Sequence, residues 1–361
     1  MPKIVFNNKN AIFFQSLKEA ADNYFADNGI RRTGDRRLYI KTSILLALAS
    51  SLYLSILFFS LPAWLIILLS CLFGLTLACI GFNVMHDANH GSYSSRQRVN
   101  DLVGLTLNAL GGNSFIWKFK HNIIHHTYPN VDGMDDDIAK SPFIRMCSTQ
   151  RWIPIHRVQH IYTPLLYAIS SILWVLFQDF EKYFRRKIQN TELTRMKFKD
   201  HFIFWVSKVF YIFFYIGLPI WLNGWANWLL FFMSLHIGLG FTLAVVFQLA
   251  HVVEETTFEF AACGETTRIE NEWAIHQVKT TSDFSPNSPV ISWLVGGLNY
   301  QIEHHLFPRI SHVHYPALSK IVKEKCVAFN LPYNCLPSFR RAVVSHFRLI
   351  WLLGKKPALA G

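Results

Sequence analysis

Charge and paired cysteine are what this chain has least of. Charged side chains make up 16% of its 361 residues, against roughly 25% in ordinary soluble domains. The cysteines, Cys71, Cys79, Cys147, Cys263, Cys326 and Cys335, form no CxxC pair and no regular framework. Neither a disulfide scaffold nor a zinc ribbon is supported, and a reducing cytosolic setting fits them. Internal repeats, low-complexity tracts and flexible linkers are missing as well. A polar and charged segment precedes the first long apolar run, and no small-residue cleavage site follows a short apolar core, so a secretory signal peptide is not expected.

What stands in their place is apolar. Hydrophobic residues reach 51% and aromatics 15%, with 31 phenylalanines. This is the composition of a membrane protein rather than of two soluble domains. Four stretches, about 39–60, 62–83, 202–222 and 227–250, approach the roughly 20 apolar residues that a helix needs to cross the hydrocarbon layer.

The formal net charge of +12 reads as orientation. The links around Leu61-Pro62-Trp64 and Asn223-Gly224-Trp225-Ala226 lack Lys and Arg, whereas 84–160 and 179–200 are rich in both. Both termini and the intervening loops are therefore expected in the cytosol, most naturally of a bacterial inner membrane, with two hairpins dipping across the bilayer. The cations lie just outside apolar runs and are not interleaved with aromatics, so nucleic acid is not an expected partner.

Two further apolar segments, 161–177 and 102–117, are expected not to cross. If 161–177 did, the last histidine cluster described below would lie across the membrane from the first two; 102–117 is marginal in length and broken by Gly111-Gly112. Residues 11–27 place Phe13, Leu17, Ala20 and Tyr24 at helical spacing, with Asn10 as N-cap and Gly29 past the end, and predict an amphipathic helix on the membrane surface. The expected organisation is a cytosolic amphipathic segment over 1–38, the main domain over 39–335 and a cytosolic tail over 336–361. The fold class is an all-α integral membrane protein, with four transmembrane helices in two hairpins and a cytosolic helical cap holding a two-metal site.

The metal expectation comes from three histidine clusters: His86 and His90 in HDANH, His121, His125 and His126 in HNIIHH, and His304 and His305 in QIEHH. Neutral imidazole is the commonest side-chain metal ligand. Residues four apart share one helical face, so His86 and His90, and His121 and His125, can each serve one centre, while His126 faces elsewhere and reaches a second. His251, at the end of the fourth span, is a further candidate ligand. His236 lies about 22 Å deeper at 1.5 Å per residue and is expected to be a satisfied core histidine. So many imidazoles exceed the four ligands of a closed zinc site; they suit iron, copper or zinc. Asp87 and Glu303 are expected to orient ligating imidazoles. The run GMDDDI reads either as a solvated turn or as more such carboxylates, with Asp135 and Asp137 the pair of interest.

At these residues the chain resembles the membrane fatty acid desaturases over about 30–335. That family carries the boxes HxxxH, HxxxHH and H/QxxHH, here His86-Asp-Ala-Asn-His90, His121-Asn-Ile-Ile-His125-His126 and Gln301-Ile-Glu-His304-His305. Gln301 in the third box is the pattern of the front-end group, which places a double bond between an existing one and the carboxyl end, as in Δ6- and Δ5-type enzymes. WAIHQVKTTSDFS and GGLNYQIEHHLFP are similar to the linoleoyl-CoA-desaturase-like branch.

The resemblance implies a centre of two Fe ions held by the seven box histidines, with His251 and Gln301 as additional ligands, and O2 as co-substrate. It implies a long-chain acyl substrate, as acyl-CoA or acyl-lipid. No HPGG haem motif of a fused cytochrome b5 is present, so a separate electron donor, a ferredoxin or a cytochrome b5, is expected. Trp117, Trp273 and Tyr300 are candidate tunnel residues, with ordinary packing the better reading of each. The alternatives are a di-iron hydroxylase or other monooxygenase on the same scaffold, a membrane zinc hydrolase, and a non-catalytic lipid-binding receptor or metal transporter.

Overall fold

A computed structural model describes residues 3–8, 11–140, 142–262 and 264–357. Asn10 and Cys263 lie outside the described residues. Asp35 opens the first apolar helix by accepting a hydrogen bond from Arg37 N at 2.8 Å, and the helix runs Arg36–Phe58. Pro62 turns the chain into Ala63–Ile80, which continues through a π-helical turn, Gly81–Met85, to His86–His90. Gly91, at φ 76°, stops it.

The second hairpin lies within the continuous run Phe198–His251. Gly224, at φ 76° and ψ 164°, breaks it. Trp228 Nε1 donates to Tyr215 O at 3.0 Å, whereas residues that far apart on one straight helix would be about 20 Å distant. The chain therefore folds back at Gly224. The two hairpin tips meet, Asn223 Nδ2 donating to Leu57 O at 3.2 Å, and Phe58, Phe59, Trp64, Trp221 and Trp225 are exposed around them.

The hairpins pack through small residues. A Cβ on Gly238 would lie 2.6 Å from Cys71 O, and one on Gly74 would collide with Leu235 O. Between apolar helices there is no water to expel, so close backbone approach supplies the van der Waals attraction.

Among the described residues Pro154–Arg185 is also long and apolar enough to cross a membrane. Its ends, however, attach to one loop: Gln159 Nε2 donates to Arg145 O at 3.0 Å, and Lys182 Nζ reaches Asp136 Oδ2 at 2.6 Å. That loop lies on the side opposite the hairpin tips, so both ends return there. Its middle packs on the second hairpin, where His236 is enclosed by Ser171 Oγ at 2.8 Å and Tyr211 OH at 2.6 Å, as a satisfied core histidine should be. The 102–117 stretch is broken into Gln97–Gly104, Thr106–Ala109 and Ser114–Lys118, with Gly111 at φ 98°.

The rest forms the cap, mainly short helices with four two-stranded ladders among the described residues. One expectation is corrected here. The helix Ile12–Asp27 does not lay its apolar face on a membrane; Phe13, Leu17, Ala21 and Phe25 are buried against Ala274, Val278, Val322 and Leu318 of the cap. An apolar stripe reports that something covers a helix, not whether lipid or protein does. Residues 336–361, read from sequence as a tail, contain the helix Phe339–Gly354, anchored by Arg145 Nη1 to Leu353 O at 2.7 Å and Trp152 Nε1 to Gly354 O at 2.8 Å.

Replacing Gly238 by Leu is expected to destabilise the hairpin pair by about 1–3 kcal/mol or more, the usual cost of overpacking. Thermal aggregation of the purified protein in detergent measures it, and Gly224→Ala, at an open position outside the contact, separates crowding from backbone strain.

Candidate metal centre

Each histidine cluster reaches the centre by a different local device. His86 and His90 stand one turn apart, ring centroids 4.6 Å from each other. The second cluster lies on the π-helical segment Phe119–His125, and His126 N bonds to His121 O at 3.0 Å. Five-residue hydrogen bonding widens the turn, which rotates His126 back beside His121, with Nε2 atoms 3.3 Å apart. An ideal α-helix would have turned it away. The third cluster occupies the short helix Gln301–Leu306, where adjacent His304 and His305 splay to opposite halves of the centre.

The resulting groups overlap. His86, His90, His121 and His304 each bring one ligand atom within 4.8 Å of the others; so do His125, His251 and His305, and so do His126, His304 and His305. His251 thus joins from the end of the second hairpin, its ring 4.6 Å from that of His125. All eight histidines are buried.

The ring nitrogens divide into two sets. His125 Nδ1 faces Asp135 Oδ2 at 3.1 Å, His304 Nδ1 faces Tyr315 OH at 3.0 Å, and His305 Nδ1 faces Gln277 Oε1 at 2.9 Å. Their Nε2 atoms, with His90 Nε2, His126 Nδ1 and His251 Nδ1, are buried without a protein partner. Such orphaned nitrogens are costly to bury. A pair of transition-metal ions accepting their lone pairs satisfies them, so the residues fit the group that the sequence implied. Burial, reinforced by neighbouring imidazoles, pushes the pKa of His121, His126, His304 and His305 well below the usual histidine range. They are therefore held neutral, the form that ligates.

The GMDDDI run is not a solvated turn. Asp135 orients His125 and also accepts from Asn130 N at 3.0 Å. Asp137 stands 3.8 Å from His125 Nδ1 and pairs with Lys120, while Asp136 pairs with Lys182. Burial alone would raise Asp136, but Lys182, Lys120 and Lys140 outweigh it and keep the carboxylate well below its usual range.

Two carboxylates differ from expectation. Asp87 Oδ2 is bound by Ser311 Oγ at 2.6 Å and His312 Nδ1 at 3.0 Å, and His312 in turn faces Lys41 Nζ at 3.4 Å. It ties the first cluster's helix to the chain after the third instead of orienting a clustered imidazole. Glu303 accepts from Tyr333 OH at 3.1 Å, which also bonds Asp283 at 2.6 Å. Burial and the adjacent Asp283 carboxylate raise Glu303 well above its usual range. Both acids are turned from the centre by partners on other elements, Ser311 and His312 for Asp87 and Tyr333 for Glu303.

Tyr315 and Gln277, which sequence reasoning missed, do the orienting instead. They come from elements 11 and 28 residues away, and no local spacing marks them. Of the candidate tunnel residues, Trp117 stacks on His121 at 4.3 Å and stands edge-on to His86 and His90, forming a wall of the centre. Trp273 Nε1 donates to His126 O at 3.2 Å, and Tyr300 OH bonds Pro286 O. Gln301 is buried, with its amide nitrogen 2.9 Å from His251 Nε2. His276 and His346 bond backbone carbonyls outside the centre.

Residues 62–337 match the fatty acid desaturase family. The chain belongs to that family. This desaturase is 35% identical, over 98% of both chains, to an sn-1 linoleoyl-lipid 6-desaturase of Synechocystis sp.. It is 34% identical to one of Arthrospira platensis, covering 97% of this chain and 94% of the relative. It is also 33% identical to an acyl-lipid (8-3)-desaturase of Physcomitrium patens, covering 94% of this chain and 71% of the relative. The protein is thus an oxidoreductase that desaturates fatty acyl chains.

Asp135→Asn and Gln277→Ala are each expected to weaken metal retention about 10–100-fold, the usual cost of removing the partner of a ligating imidazole. Metal content per chain after graded chelator dialysis reads this out; full retention in both would defeat the orienting role.

Proposed function

We propose that this desaturase is a front-end enzyme acting on long-chain acyl groups carried by membrane lipid, with a cytosolic centre of two iron ions. The observation that carries the reading is the convergence of all seven box histidines and His251 into overlapping groups with unpartnered nitrogens. The names of the relatives support the regiochemistry and the lipid carrier.

His86, His90, His121 and His304 would hold one ion, and His125, His251 and His305 the other, with His126 between them. Gln301 stands beside the second set: its amide lies 2.9 Å from His251 Nε2, the nitrogen other than the unpartnered Nδ1, so it would hold that ring for the ion. As a direct ligand its amide oxygen would be a weaker donor than imidazole.

Bound iron supplies the redox chemistry that activates dioxygen. The chain's own residues supply position. Asp135, Tyr315 and Gln277 fix ring orientation, and the neutral, water-excluded imidazole shell admits the ions without a competing proton. Trp117 closes one side, which keeps an apolar chain close to the centre and bulk water away. Overall, two adjacent methylenes lose one hydrogen each. O2, with two electrons and two protons, is reduced to two waters. A separate ferredoxin or cytochrome b5 delivers the electrons, and the excess of cations on the cytosolic side speeds encounter with an acidic donor.

Expression in a bacterial host of simple fatty-acid composition, fed linoleate, tests the proposal. The expected product carries a new cis double bond on the carboxyl side of the existing ones. His304→Ala should abolish it while leaving the protein in the membrane. An oxygenated acyl product, or oxygen-independent activity with one zinc per chain, would overturn the assignment.

A further inference from the structure

Away from the metal centre, a cavity of ≈ 390 Å³ opens beside the start of the second hairpin. Arg186, Arg195 and His201 give its polar wall, and Leu193, Met196 and Phe198 its apolar one. Its shape is set by a tight two-stranded turn in which Lys187–Ile188 pairs with Thr191–Glu192. Leu193 N closes the turn on Arg186 O at 2.8 Å. One arginine therefore enters the turn and the other leaves it, and both line the same cavity. His201 is held by Tyr183 OH at 2.8 Å.

Two observations bear on what this cavity takes. The first is charge. Arg185 is paired with Glu181 at 2.6 Å, whereas among the described residues neither Arg186 nor Arg195 has a carboxylate within 4.0 Å. Two arginines lining one cavity without a carboxylate partner suit a phosphate, which a guanidinium can bind through two parallel hydrogen bonds. The second is the rim. Phe184, Phe198, Phe202 and Trp205 are exposed beside it, Phe198 to 85%. Trp205 is of a type enriched where hydrocarbon meets headgroups, and the three phenylalanines extend the apolar surface beside it. A soluble anion has no use for such a rim, but a lipid has, with its phosphate at the arginines and its chains along the aromatics.

We propose that this cavity is a binding site for the phosphate headgroup of an anionic membrane lipid. Leu193 lines it and belongs to the same buried cluster as Ile116, Phe119 and Ile124, on and before the helix bearing the second histidine cluster. An occupied site therefore braces that helix from the lipid side. The site is separate from the metal centre and independent of which acyl chain is desaturated.

The test is native mass spectrometry of the full chain in detergent, titrated with short-chain phosphatidylglycerol and, in parallel, phosphatidylcholine. The wild type should prefer phosphatidylglycerol on the order of tenfold, since basic groups near a headgroup favour the net anionic lipid. Arg186→Gln with Arg195→Gln should reduce that preference to none, leaving phosphatidylcholine binding and metal content unchanged. Arg185→Gln, whose guanidinium is already paired, should keep it. If the double variant loses its metal, Arg195→Gln alone carries the same test. An undiminished preference in the arginine variants overturns the site. Complete displacement of the lipid by equimolar inorganic phosphate would overturn the lipid as its occupant.

Discussion

Each imidazole at the centre is buried with two ring nitrogens to satisfy. His125, His304 and His305 each give one nitrogen to a protein partner and leave the other free for a metal, and the surrounding architecture is arranged around that division. The lysine–aspartate pairs beside His125 keep a carboxylate charged where burial would otherwise neutralise it. The hydroxyl of Tyr315 and the amide of Gln277 serve His304 and His305 without adding charge. A centre of many neutral donors and few anions retains net positive charge when loaded, and the acidic run at 135–137 lies on one flank only.

Holding donors from four separate segments in overlapping groups, each within 4.8 Å, demands rigid supports. The hairpins provide them by backbone contact at Gly74 and Gly238 rather than through large side chains. The π-helical turns at Gly81–Met85 and Phe119–His125 then correct the angular phase of the two clusters that follow or contain them. Such turns sacrifice regular hydrogen bonding, and they persist where a side chain has to be aimed.

Much of this was legible in the sequence because it is written in local periodicity and composition. Apolar runs, cation-free tips and four-residue histidine steps each depend on near neighbours, so the hairpins, the clusters and the depth of His236 could be read directly. His251 was legible because a helix end converts residue number into height. The roles of Asp87, Glu303, Tyr315 and Gln277 were not, since each is decided by contacts between elements far apart in the chain. The cover of the Ile12–Asp27 helix was hidden for a related reason: its stripe is the same whether lipid or the cap lies against it. The return of His126 to the side of His121 required a π-turn, which no residue pattern announces.

The order in which the donors occur along the chain has a bearing on biogenesis. His86 to His126 leave the ribosome early, yet every group of nitrogens in the centre includes His304 or His305. No ion can be fully coordinated until both hairpins are inserted and translation has passed residue 305. In a chain that stops before residue 304, each of these groups of imidazoles lacks a member, so completion of the donor set waits on the segment that follows the second hairpin.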